Sequence, residues 1–352
     1  MKSKWIGIVL LIAVIAIGGG YYFYQKNTTV TTLNGYVGGE KIGLLEDTEV
    51  QKILKKEYHV KFSYSRAGSL DMVKADQTGR DYLFPSSQTA LEYYKATYGK
   101  PAADEIIFNT PLVLYTHKMV ADAFMDQGIV SVKDGVYYAD MQKLTELILS
   151  EKSWSDIGLT QLYGSVSIDT TDPVKSNSGN MFAALIASVL NDGKTVKRDD
   201  INVILPKLKA IFEKLGYMET SSSDLFEQFL RMGVGAKPVI AGYENQLLEY
   251  AAENPQGYEK IKDDIVMIYP SPTMWSTHIY IAVDDAGKQG IAALTDEDIQ
   301  RIAWEKHGFR TGSYTMASDQ EALVVSGVPE QLTYVINMPE YLVMKKIIDT
   351  LQ

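Results

Sequence analysis

The four histidines, His59, His117, His278 and His307, are scattered along the chain, and none stands in a His-Glu-x-x-His arrangement that would place two metal ligands on one helix face. There is no cysteine. That removes thiol nucleophiles, thiolate metal sites, disulfides and attachment of a lipid through an N-terminal Cys. No Gly-x-Ser-x-Gly elbow occurs, and Gly233-Val-Gly-Ala-Lys-Pro238 fits neither a Walker A loop nor a dinucleotide fingerprint. The pair Asp263-Asp264 has the right chemistry for acid–base work, but such pairs occur on any acidic surface. The sequence thus names no nucleophile, base and orienting group together. The chain is expected to be neither an enzyme nor a holder of a structural metal or cofactor.

The stretch most able to bind something is Asp172-Pro-Val-Lys-Ser-Asn-Ser-Gly-Asn180, which runs straight into the apolar segment Met181 to Leu190. Hydroxyls and glycine gather where a helix begins. At such a place unpaired backbone N–H groups and the positive end of the helix dipole face outward, and glycine lets a ligand approach the backbone. An anion or carboxylate fits there. So does the plainer reading, in which Ser176, Asn177 or Ser178 only caps the helix; the residues alone leave both open. The same pattern recurs at Pro85-Ser86-Ser87 before a helix at Ala90 to Tyr94, and at Gly68-Ser69 after a strand from Val60. Ligands of open α/β sheets gather at the carboxyl ends of strands, so turns of this kind point to one shared cleft.

The elements that must position these turns follow from periodicity. Val60, Phe62 and Tyr64 alternate with Lys61, Ser63 and Ser65 as a strand, and Val50, Ile53, Leu54 and Tyr58 recur at helical spacing after an Asp47 cap. Further strands are expected at Pro111 to Tyr115, Val166 to Ile168, Val239 to Ala241, Ile265 to Tyr269 and Ile279 to Val283. Helices are expected at His117 to Asp126, Ala139 to Leu149, Met181 to Leu190, Ile201 to Leu215 and Tyr243 to Ala252. Thr295 to His307 reads as a helix opened by Thr-x-x-Asp and closed by Gly308, and a last helix follows Pro339. Short apolar runs alternating with amphipathic segments predict βαβ units and mostly parallel sheets. With 352 residues, 46% of them hydrophobic, the chain has material for two lobes.

A formal net charge of −10 and the lack of any basic stripe argue against a nucleic-acid partner. Trp5 to Tyr24 carries no formal charge over 20 residues, long enough to cross a bilayer as a helix. Lys2 and Lys4 precede it, and Trp5, Tyr21, Tyr22 and Tyr24 suit the interfacial belts, so the bulk of the chain is expected outside the membrane. Residues 5–24 then engage the lipid bilayer as an anchor. A cleaved signal peptide ending near Gly18-Gly-Gly20 is the competing reading.

With those residues in view, the sequence resembles the two-lobed, type II periplasmic-binding-protein class of extracellular solute-binding proteins, in the style of its molybdate, sulfate and phosphate-type members. The resemblance runs from about Val30 to the end. It rests on the order and spacing of Gly68-Ser-Leu-Asp-Met-Val73, Asp81-Tyr-Leu-Phe-Pro-Ser-Ser87, Asn109-Thr-Pro-Leu-Val-Leu114, Asp172-Pro-Val-Lys-Ser-Asn-Ser-Gly179, Pro238-Val-Ile-Ala-Gly-Tyr-Glu244 and Ile265-Val-Met-Ile-Tyr-Pro-Ser-Pro272.

The resemblance implies an α/β fold of two lobes with a hinge, and the apolar run at residues 5–24 adds one transmembrane helix before it. Residues 1–27 would form the anchor, 28–109 with 270–352 lobe one, and 110–269 lobe two. It further implies a solute, an oxyanion or a small polar organic, clamped between the lobes, and a membrane permease or other membrane partner, with transport as the task. A sensor or assembly component for a membrane partner, and a hydrolase using Glu40 or Glu244, are the alternatives. Gly39, Glu40, Gly68, Ser69, Ser86 and Ser87 would face the solute from lobe one, and Ser176, Ser178, Gly179, Tyr243 and Glu244 from lobe two. Glu40 stands where a hydroxyl is expected, and an uncompensated carboxylate there would repel an oxyanion.

Overall fold

The structure is a computed structural model that describes residues 29–311 and 322–352; the apolar run at residues 5–24 lies outside the described residues. Among the described residues no helix is long and apolar enough to cross a membrane.

In chain order the first part folds as β1 (Thr31–Val37), α1 (Ile42–Glu46), α2 (Thr48–Lys56), β2 (Val60–Arg66), α3 (Ser69–Lys74), β3 (Tyr82–Phe84), α4 (Gln88–Tyr98) and β4 (Ala103–His117). Next come α5 (Lys118–Asp126), β5 (Val130–Lys133), β6 (Val136–Asp140), α6 (Met141–Leu149), α7 (Asn177–Val189), α8 (Ile201–Phe212), α9 (Ser222–Met232), β7 (Val239–Tyr243) and α10 (Glu244–Glu253). The remainder is α11 (Pro255–Ile261), β8 (Ile265–Ser271), β9 (Trp275–Ala282), α12 (Lys288–Leu294), α13 (Glu297–Glu305), β10 (Arg310–Thr311) and α14 (Tyr341–Leu351).

Local chemistry explains most of these starts and stops. Asp47 Oδ1 accepts from the backbone N–H of Glu49 and Val50, at 2.7 and 3.2 Å, and α2 then buries Val50 and Leu54, four residues apart on one face. β2 turns Val60 and Phe62 inward and Lys61 and Ser63 outward. α13 is capped by Asp296 rather than Thr295, because the Thr295 hydroxyl donates backward to Ile291 O, 2.9 Å, and so completes α12. Val166 to Ile168 is not a strand. Single bridges flank it at Ser165 and Asp169, and Val166 and Ile168 pack directly into a core.

The strand order is β2-β1-β3-β9-β4-β8-β6-β5, with β7 and β10 each paired to β4. β4 carries the chain from one half to the other: Ala103–Pro111 pairs with β9, whereas Leu112–His117 pairs with β7 and β8. β8 and β9 bring the chain back. Among the strands of the described residues only β1–β2, β1–β3 and β6–β8 pair in parallel, so the sheet is mixed rather than mostly parallel. The cause is topological, since a strand that leaves one half must run against the strands that return.

Each half of the sheet has apolar clusters on both faces. Leu33, Val37, Phe84 and Phe108 belong to one cluster and Met72, Leu91 and Ile281 to another on the first half; Phe182, Ile186 and Leu208 and then Tyr115, Phe229 and Tyr269 serve the second. The last helix departs from the expected division: Val343, Met344 and Ile347 of α14 sit in the core of the second half with α7 and α8. Tyr341 of the same helix packs its ring 5.5 Å from that of Tyr93 on α4, so the tail touches both halves.

Candidate functional site

β1 and β2 end at the junction of the two halves, and the chain turns there through Gly38-Gly39-Glu40 and through Arg66 to Ser69. Facing them from the second half are the starts of α7 and α9 and the end of β7. Between these elements lies a cleft of about 380 Å³, lined by residues 38–40, Arg66–Ser69 and Asp71 on one side and by Lys175–Ser178, Thr220–Ser222 and Tyr243 on the other.

At the start of α7, Ser176 occupies the N-cap position but its side chain makes no capping hydrogen bond. Its hydroxyl instead lies 3.0 Å from that of Ser178, which lies 2.6 Å from Thr171 Oγ1. The capping reading therefore fails for Ser176, and a chain of hydroxyls leads to a helix start whose first N–H groups have no intrahelical acceptor. At the start of α9, Ser221 does cap, accepting from Asp224 N at 3.4 Å, and its hydroxyl also accepts from Arg66 across the cleft. Deeper in, Asn177 Nδ2 donates to Ser86 O at 2.8 Å and to the Tyr243 hydroxyl at 3.0 Å. The two halves are thus bridged at the exposed edge of the cleft by Arg66 and at its floor by Asn177.

Glu40 faces the cleft, but its charge is compensated. The fully buried Lys41 places Nζ 2.6 Å from Glu40 Oε1, 2.6 Å from Ser86 Oγ and 3.2 Å from His278 Nδ1. Burial alone would raise the Glu40 carboxyl. The Lys41 charge and the hydrogen bonds from Lys41 and Ser86 outweigh it and bring the group down to about 2. Burial, then the Lys41 ammonium, push His278 well below its ordinary range, so the neutral ring accepts from Lys41. Burial also pushes Lys41 down, against the pull of Glu40; with three acceptors around it, the ammonium is the form that this pocket fits. The result is a carboxylate that stays ionised at the cleft wall with its countercharge behind it.

No family model matches the chain and no curated protein matches it. Solved structures do. A putative extracellular solute-binding protein from Bordetella parapertussis is 10% identical with a TM-score of 0.59, covering 91% of this chain and 97% of that one. The substrate-binding protein of an ABC transporter from Agrobacterium tumefaciens is 13% identical with a TM-score of 0.58, covering 92% and 95%. The sulfate-binding protein of Mycobacterium tuberculosis is 15% identical with a TM-score of 0.56, covering 90% and 96%. The chain has the type II periplasmic-binding-protein fold.

On that fold, Gly39, Glu40, Gly68, Ser69, Ser176, Ser178 and Tyr243 line the cleft. The others named from the sequence do not. Ser86 is buried beneath it, supporting Lys41 and Asn177, and Ser87 is buried at the start of α4. Gly179 sits in the first turn of α7 against the Thr171 carbonyl, where a side chain has no room. Glu244 is fully buried in an ion pair with Arg310, 2.7 Å away, and takes a 2.6 Å hydrogen bond from Tyr269. The sequence reading missed Arg66, Asp71 and the Thr220-Ser221-Ser222 run. That run had a signal: hydroxyls directly before the amphipathic α9, the same pattern that marked Ser176 and Ser178.

Proposed function

We propose that this chain is a membrane-anchored, extracytoplasmic solute receptor that closes its two lobes on a small polar or anionic solute, performs no turnover, and passes the solute to an ABC-type permease. The carrying observation is the convergence of two helix starts, α7 and α9, with Ser69, Ser176, Ser178 and Tyr243 in one cleft at the crossing of the sheet. Backbone N–H groups and hydroxyls arranged this way satisfy a buried polar ligand, and Arg66 on the same cleft wall adds a charged donor. The likeness to the sulfate-binding protein supports an anion, and the span of residues 5–24 supports the anchor.

The test is the thermal stability of the full chain in detergent, measured against oxyanions, amino acids, short peptides and sugars. A ligand held only by the folded state at about a hundred times its Kd adds roughly 2.7 kcal/mol. A saturable upward shift with one class is expected; no shift with any class would sink the receptor reading.

A further inference from the structure

The cleft is built for something that both donates and accepts hydrogen bonds. Even with Arg66 and Asn177 bridging it, it keeps about 380 Å³. That is more room than one four-oxygen anion fills.

Its charges are also divided. The Arg66 guanidinium lies over Gly39 and donates to Ser221 at the start of α9; its side chain is half exposed, and Asp224 is no nearer than 3.9 Å. A guanidinium carries five donors in a fork suited to a carboxylate or phosphate. On the same cleft wall Glu40 and Asp71 bring carboxylates, and an ionised carboxylate only accepts; the other cation of the lining, Lys175, lies 3.6 Å from Asp172. A bare sulfate or molybdate offers only acceptors. At Glu40 it would set acceptor against acceptor, because Lys41 is fully buried, with its ammonium drawn to Glu40, Ser86 and His278.

Resting on the receptor reading above, we infer that the solute is a small organic molecule carrying one anionic group, held by Arg66 and the start of α9, together with hydroxyl or amino donors that face Glu40 and Asp71. A phosphorylated polyol and an amino acid share this chemistry. Arg66 is then a specificity-determining residue, and its contact to Ser221 is the one that the anionic group replaces or extends.

The experiment is isothermal titration of the full chain in detergent with glycerol 3-phosphate and serine, against sulfate and molybdate (no donors), succinate (anionic groups without donors) and glycerol (donors without an anion). At least one of the first two is expected to bind saturably and at least tenfold tighter than the other four. Which of them binds separates phosphate from carboxylate. Arg66→Ala is expected to weaken that binding more than tenfold while the melting temperature stays within about 2 °C, because the side chain is half exposed. Sulfate, molybdate, succinate or glycerol binding as tightly as the first pair, or Arg66→Ala leaving affinity unchanged, overturns the inference and leaves the receptor reading standing. Binding by none of the six overturns the inference, and the receptor reading falls with it only if the peptides and sugars of the stability panel give no shift either.

Discussion

The guanidinium of Arg310 grips the carboxylate of Glu244 through two hydrogen bonds, 2.7 Å from Nε to Oε1 and 2.8 Å from Nη2 to Oε2, with both side chains shut away from solvent. Glu244 opens α10 in the second half. Arg310 lies on β10, which pairs with β4 just before that strand crosses. Two further donors of Arg310 reach Glu330 O at 3.1 Å and Pro329 O at 2.8 Å, so the pair also fastens the tail. Removing one partner of such a pair strands the other charge in the interior, at a cost of about 3–5 kcal/mol. Glu244→Gln is therefore expected to lower unfolding stability in urea by that order. The double change Glu244→Gln with Arg310→Met should recover part of the loss. A stability loss under about 1 kcal/mol in the single variant would mean that the pair is not closed in solution.

Glu40 makes stability depend on pH in a defined window. Its carboxyl is lowered from 4.5 to about 2, so the folded state binds its proton more weakly than the unfolded state does. The contribution is fully present above the unfolded value and is lost as pH falls from about 4.5 through about 2. It is on the order of 3 kcal/mol. Melting temperature against pH should fall more steeply in this window for the native chain than for Glu40→Gln. Parallel curves would show that Glu40 is not held ionised by Lys41.

Ser176 and Ser178 have hydroxyls in the cleft rather than on capping bonds. Hydrogen bonds to a charged ligand are worth about 1.5–3 kcal/mol each, so the double change to alanine is expected to weaken binding of the best ligand by tenfold or more. The loss of fold stability should stay near 1 kcal/mol, mainly from the Thr171 hydroxyl that Ser178 leaves behind. Unchanged affinity in titration would take the start of α7 out of the site.

Gly179 tests the packing beneath that helix start. A Cβ there would collide with the carbonyl oxygen and carbon of Thr171, backbone atoms that cannot swing aside as a side chain would. Gly179→Ala is expected to cost about 1–3 kcal/mol in denaturant unfolding, despite the better helix propensity of alanine. A neutral result would mean that the segment before α7 shifts freely.

Much of this arrangement was legible because local chemistry and global fold agree. Asp47 followed by Val50 and Leu54 gives α2, and the alternation from Val60 gives β2. Hydroxyl-rich turns after apolar strands led to Gly68 and Ser69 on one wall of the cleft and to Ser176 and Ser178 on the other. Four features were not read from the sequence. Tyr243-Glu244 reads as one polar pair, yet Tyr243 lines the cleft and Glu244 is buried, because the partner that decides the matter, Arg310, is distant in sequence. Arg66 looks like a strand-end charge until α9 is placed opposite it. The β5–β6 hairpin was overlooked although Asp134-Gly135, both at positive φ of 51° and 78°, is a turn pair that favours it. The last helix was expected after Pro339, but its place was not legible, since the apolar face of α14 specifies that it is buried but not against which half.

Gly68 offers a way to separate closure from folding. Its backbone lies so close to the facing half that a Cβ there would sit 2.7 Å from Lys175 O, and the nearest atoms of its own half are the Asp71 carboxylate at 3.2 Å and beyond. A side chain at this position is thus a wedge between the halves, not a cavity-filler within one. Gly68→Val is expected to hold the cleft open. Small-angle scattering should show a larger radius of gyration than for the native chain, and ligand affinity should fall by tenfold or more, because contacts from the second half no longer reach the solute. The cores on either side are untouched, so the urea midpoint should move little. An unchanged radius with unchanged affinity would mean that the halves do not need this close approach to hold their ligand, and closure would then have to be sought at Asn177 and Ser86 instead.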